Sequence, residues 1–182
     1  MEKIARSYFA YGSNMNLVQM KQRCSSPKVL SIARLPGYRV EFYGYSALWD
    51  GAQETLVPDL ESEVWGVLYE LEFYDCESLD TVQDARVNGM GAYFHYPVKV
   101  INLKHETIEA LIYKKDVLRD SKLPSTEYLE FIVQGAKEQG LPAEYITILN
   151  NKKSKPAAYA VPMMKNSNLI KMSVSTDCND CG

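Results

Sequence analysis

The stretch EVWGVLYEL, residues 63–71, constrains the fold of this chain more than any other. Val64, Gly66, Leu68 and Glu70 alternate with Trp65, Val67, Tyr69 and Leu71, so neither side of the strand is left to solvent. An antiparallel strand in an open sheet usually keeps one polar face. One covered on both faces is sandwiched under helices or curled into a barrel. Further strand-like runs surround it: SIARLPGYRVEF, YFHYPVKVINL and ETIEALIYKK, punctuated by the turn-rich pieces YSALWDGAQE and VNGMGA. FYDCESLDTVQDA reads as a helix, with Asp75 as its cap and Leu79 and Val82 facing inward. LPSTEYLEFIVQGAKEQGL is the clearest helix. Ser125 caps it, Tyr128, Phe131, Ile132 and Gly135 share a face, and Gly140 stops it. The expectation is an α+β fold: a small mixed, mostly antiparallel curled sheet or barrel with flanking helices.

Composition narrows the partners. The 182 residues, 46% hydrophobic and 24% charged, suit one globular domain, placed at residues 1–150. Residues 151–182 lose periodicity and read as a partly disordered appendage, with AAYAVPMM the piece expected to lie on the body. The net charge of -3 argues against a nucleic-acid partner. No run of about 18 apolar residues suggests a membrane span. MEKIARSYFA lacks the apolar core of a signal peptide, so a cytoplasmic protein is expected. The 4 cysteines do not make a disulfide scaffold. Cys24 and Cys76 sit in apolar surroundings as buried thiols, and the terminal Cys178/Cys181 pair lacks a second ligand pair for zinc.

A second feature, YFAYGSNMNLVQM, concerns chemistry. Tyr8 to Tyr11 form a short buried strand, Gly12 permits a positive φ and removes the Cβ that would keep a ligand from the backbone, and Ser13 and Asn14 suit a helix cap. Leu17, Met20 and Cys24 then recur at helical spacing. Such a junction points backbone N–H groups at the positive end of a helix, where a carboxylate or a developing oxyanion can sit. Most turns of this kind bind nothing. The 2 histidines, His95 and His105, have no partners at metal-ligand spacing, and no nucleophile elbow, phosphate loop or dinucleotide fingerprint occurs. No cofactor or metal is expected.

Taken in order, YFAYGSNM, ARLPGYRVEF, EVWGVLYEL, SLDTVQDARVNGMGAY and PSTEYLEFIVQGAKEQGLPAEY resemble the γ-glutamylcyclotransferase family over roughly residues 7 to 149. The resemblance implies a small barrel-like fold with a pocket and release of 5-oxoproline from a small-molecule or peptide γ-glutamyl substrate. In that chemistry the substrate's α-amine attacks its own γ-carbonyl. Tyr11, Gly12, Ser13, Asn14 and Met15 match the family's glutamyl-binding loop. Tyr113 and Tyr128 match family tyrosines, and Tyr93 matches after a small insertion. The family's LDxxE pattern supplies a glutamate as proton shuttle, but Leu79-Asp80-Thr81-Val82-Gln83 places Gln83 there, isosteric and without useful basicity. Three accounts stay open at this point. They are an engineered Glu→Gln trap, a pseudo-enzyme that only binds, and a substitute base at Asp84, which on a helix would point about 100° away. Asp50 and Glu54 are expected to be exposed turn residues.

Overall fold

A computed structural model describes residues 5–86, 91–116, 118 and 121–162. Five strands, β1 (Arg6–Ala10), β2 (Lys28–Ser46), β3 (Gly51–Leu71), β4 (Phe94–Asn102) and β5 (Thr107–Lys114), form a closed barrel in the order β1-β3-β2-β4-β5. Four pairings are antiparallel, and the seam between β1 and β5 is parallel, at Tyr8 and Leu111. The two-sided apolar strand is β3, as a barrel requires. Val64, Val67, Leu68 and Tyr69 are fully buried.

β2 and β3 form one long hairpin closing at Ser46 and Gly51, and it is not regular throughout. Its register shifts between Pro36 and Tyr38, where Gly37 adopts a φ of 80°. Pro36 offers no N–H to a ladder, so a bulge beside it is the place in a strand where proline costs least. The hairpin also corrects one expectation. Residues 51–54, read as part of a turn-rich loop, are the first rungs of β3, with Glu54 opposite Phe42.

Among the described residues four α-helices flank the barrel: α1 (Leu17–Arg23), α2 (Phe73–Val82), α3 (Thr126–Glu138) and α4 (Ala143–Asn150). α3 is capped by Ser125, whose side chain accepts from the Tyr128 N–H, and Gly140 follows its end with a φ of 71°. A helix of its 13 residues is marginal alone. Its buried face, including Tyr128, Phe131 and Ile132, holds it in place at about 1.5–3 kcal/mol for each large apolar side chain buried. Trp49 packs on Tyr128 and Phe131 at ring distances of 4.7 and 5.2 Å.

α2 differs from its sequence reading in two details. Its N-cap is Glu72, while Asp75 lies within the first turn and reaches out, accepting from Ser25 N–H at 2.6 Å and Ser26 N–H at 3.2 Å. Leu79 is buried, but Val82 is half exposed because the helix ends there. Cys24 is buried and Cys76 only partly so. Residues 151–162 lie against the body. Lys155 bridges Ser125, Ala157 N–H donates to Glu127 at 3.0 Å, and Ala158 N–H donates to Asp50 at 2.6 Å. Cys178 and Cys181 lie outside the described residues. Among the described residues no helix is long and apolar enough to cross a membrane.

Candidate functional site

β1 delivers the chain to Tyr11, after which Ser13–Met15 close one 3-10 turn. The Met15 N–H donates to Gly12 O at 2.9 Å and the Asn16 N–H to Ser13 O at 3.1 Å. The helix cap is Asn16 rather than Ser13 or Asn14, since its side chain accepts from Gln19 N–H at 3.0 Å. Asn14 is a buried strut. Its amide donates to the Tyr8 hydroxyl at 2.8 Å, and its oxygen accepts from Gln19 Nε2 at 3.2 Å and Arg23 Nη1 at 2.6 Å. Met15 is fully buried. α3 crosses this turn so closely that a Cβ on Gly135 would lie 2.8 Å from Asn16 N.

Gly12 has a negative φ of -130°, so no left-handed bend calls for glycine. What glycine provides is room. A Cβ at Gly12 would lie 1.9 Å from Glu54 Oε1 and 2.4 Å from its Cγ. The group pressed against the turn is therefore the chain's own carboxylate. The Ser13 N–H donates to Glu54 Oε1 at 3.0 Å, and the Tyr128 hydroxyl donates to Oε2. Glu54 is 7% exposed and Asp50 is 5% exposed, which corrects the expectation that both are exposed turn residues. Among the described residues no lysine or arginine nitrogen lies within 4.0 Å of the Glu54 carboxylate.

A ring of phenols encloses this group. Burial, and then the Glu54 charge, push the pKa of Tyr128 well above the ordinary phenol range, so Tyr128 stays a neutral donor. Tyr93 donates to the Glu54 backbone carbonyl at 2.8 Å. Tyr11 donates across the barrel seam to the Tyr113 carbonyl, and the Tyr113 hydroxyl donates to Asp80 Oδ1 at 2.6 Å. Lys115 lies with its ammonium 4.0 Å from the Tyr93 ring centre. Its pKa is lowered by burial, against the opposing pull of Glu54.

The structure thus brings together Tyr11, Gly12, Ser13, Tyr93 and Tyr128 around Glu54, with Tyr113 one hydrogen bond further out. Gln83 is the half-buried cap at the end of α2, its N–H donating to Leu79 O at 2.8 Å. Asp84 is not on a helix and does not share the offset expected of it. It has a φ of 47°, and its carboxylate accepts from Arg86 Nε at 2.7 Å and Ala92 N–H at 3.1 Å. Sequence reasoning underrated Glu54. The available signal was parity, since Ala52, Glu54 and Leu56 point the same way and the outer two are fully buried.

Comparison with known proteins bears on this arrangement. A family model described as AIG2-like matches residues 63–149. The γ-glutamylcyclotransferase of Bos taurus is 32% identical over 148 residues, which is 79% of this chain and 77% of the bovine one. That of Homo sapiens is also 32% identical, over 76% of this chain and 73% of the human one. A solved γ-glutamyl cyclotransferase structure superposes with a TM-score of 0.82 at 30% identity, covering 92% of this chain and 98% of the other. The closed barrel with its flanking helices is that of a cyclotransferase-type enzyme fold. The chain belongs to the γ-glutamylcyclotransferase family.

Proposed function

We propose that this protein removes a γ-glutamyl group from an amine, amide or peptide, releasing 5-oxoproline by attack of the substrate's own α-amine on its γ-carbonyl. One observation carries the reading: the Gly12–Met15 turn and its tyrosines converge on a nearly buried carboxylate that, among the described residues, has no lysine or arginine nitrogen within 4.0 Å. A γ-glutamyl group brings an α-ammonium to answer that charge, together with a carboxylate and a carbonyl oxygen suited to backbone N–H donors. Holding the flexible glutamyl chain folded makes the attack intramolecular, for which effective molarities reach ~10⁵ to 10⁸ M. Neither a covalent nucleophile nor a cofactor enters this scheme. An α-amine of pKa near 8 is largely protonated at neutral pH, so a proton carrier is required.

Gln83 favours a second reading. If the end of α2 were the only place for that carrier, a carboxamide there would impair the chain or leave it a binding module for a γ-glutamyl or carboxylate ligand. The test is release of 5-oxoproline from glutathione, γ-glutamylalanine and γ-glutamylbenzylamine, followed by chromatography. Turnover of any of them supports the enzyme. Saturable binding of these compounds without product, in the chain as written and in Gln83→Glu alike, supports the binding module.

A further inference from the structure

Resting on the cyclisation reading, we propose that Glu54 on β3, and not the end of α2, carries the proton in this chain. The geometry assigns it. Glu54 is the carboxylate in contact with the turn, held at one oxygen by Ser13 N–H at 3.0 Å and at the other by Tyr128. Each oxygen keeps a lone pair beyond those bonds. The two carboxylates on either side of Gln83 at the end of α2 are engaged elsewhere. Asp80 accepts from Tyr113 and lies 2.6 Å from His95 Nε2, and Asp84 staples its own loop. Gln83, at the helix end, has an amide that can donate or accept a hydrogen bond but cannot take up a proton at neutral pH.

Glycine at position 12 is what lets the carboxylate reach the turn. Two elements besides its own strand fix it: the turn after β1, through the Ser13 N–H, and α3, through the Tyr128 hydroxyl. A side chain held at both oxygens in a nearly dry site is preorganised, and a cation brought there interacts more strongly than in water.

The step balances as follows. The Glu54 carboxylate takes one proton from the α-ammonium, and the freed nitrogen lone pair forms the bond to the γ-carbon as the carbonyl π electrons move onto oxygen. The protonated carboxyl gives its proton to the leaving nitrogen. The C–N bond breaks with its electron pair on that nitrogen as the carbonyl re-forms. The ring nitrogen loses a second proton by the same route. The α-nitrogen sheds two protons, the leaving nitrogen gains two and departs as an ammonium, and Glu54 ends ionised as it began.

The experiment uses the full chain and Glu54→Gln, Glu54→Asp and Gln83→Glu, with kcat and kcat/KM for 5-oxoproline release measured against pH. Far-UV circular dichroism and melting curves establish that each variant is folded. The expected result is turnover by the chain as written, a fall in kcat of ~10² to 10⁴-fold for Glu54→Gln with loss of the acid limb of the pH profile, and no gain from Gln83→Glu. Glu54→Asp should retain the limb at a reduced rate. A Glu54→Gln variant within tenfold of the original with the limb unchanged overturns the assignment while cyclisation stands. So does an inert chain that Gln83→Glu activates, which places the carrier on α2. If Glu54→Gln does not fold, a native profile without an acid limb overturns the assignment. If neither the chain nor Gln83→Glu releases 5-oxoproline from any compound tested, the cyclisation reading falls, and the role of Glu54 with it.

Discussion

Replacing Gly12 by alanine isolates the contact on which the site turns. The new methyl would overlap Glu54 Oε1, Cδ and Cγ at 1.9, 2.4 and 2.4 Å, and these are side-chain atoms, so the side chain rather than the backbone must yield. Once it swings away, the Ser13 N–H and the Tyr128 hydroxyl, both nearly buried, lose their acceptor. Each buried donor left unpaired costs about 1–3 kcal/mol, so the variant should lose roughly 2–6 kcal/mol in all. For a chain of this size that corresponds to a fall in Tm of about 4–24 °C. The decisive measurement is a double-mutant cycle by urea denaturation. In a Glu54→Ala background the methyl has room, and Gly12→Ala should then cost less than about 1 kcal/mol, giving a coupling of at least 1 kcal/mol. If Gly12→Ala costs the same in both backgrounds, glycine is there for some reason other than Glu54, and the reasoning fails.

Gly135→Ala should be costly for a different reason, because the nearest atoms are Asn16 N at 2.8 Å and Met15 C at 3.1 Å, which are backbone and cannot rotate aside; a loss of about 1–3 kcal/mol is expected by chemical denaturation. Asp50 is held below its ordinary pKa of 3.8, first by the Ala158 N–H and then by the Tyr45 hydroxyl. A depressed folded pKa means that its contribution is complete above the unfolded value and lost as the pH falls through the lower folded value. Protection of the Ala158 amide should therefore fall in hydrogen exchange as the pH is brought below 3.8, and Asp50→Asn should remove that dependence.

The barrel was legible because burial on both faces is a local property of the EVWGVLYEL alternation. α3 was legible because its cap, apolar face and terminal glycine all agree. The site was half legible. YGSN announced a turn, and the turn is there, but what fills it comes from a strand whose first rungs, GAQETL, carry a glycine, a glutamine and a glutamate and so look like loop. Tertiary pairing with β2 overrides that composition. The capping role fell to Asn16 because three candidate polar residues follow Gly12, and only folding decides which one has its oxygen over the helix start. Asp84 was misjudged for a related reason: the residue at which α2 ends sets its direction, and helix ends are the least well specified part of a periodic pattern.

The closing seam of the barrel has a consequence for how the molecule is made. Tyr8 pairs with Tyr69 on one side and Leu111 on the other, while the long β2–β3 hairpin joins neighbours in sequence. Chain segments far apart must pay loop entropy before their contacts return any stability, so pairings of high contact order form late. The hairpin brings Glu54 with it early. The glycine that Glu54 rests against arrives only when β1 is inserted between β3 and β5. Until then the chain exposes two strand edges and holds a carboxylate with no turn to meet it, so the Gly12–Glu54 contact is expected to form after the hairpin.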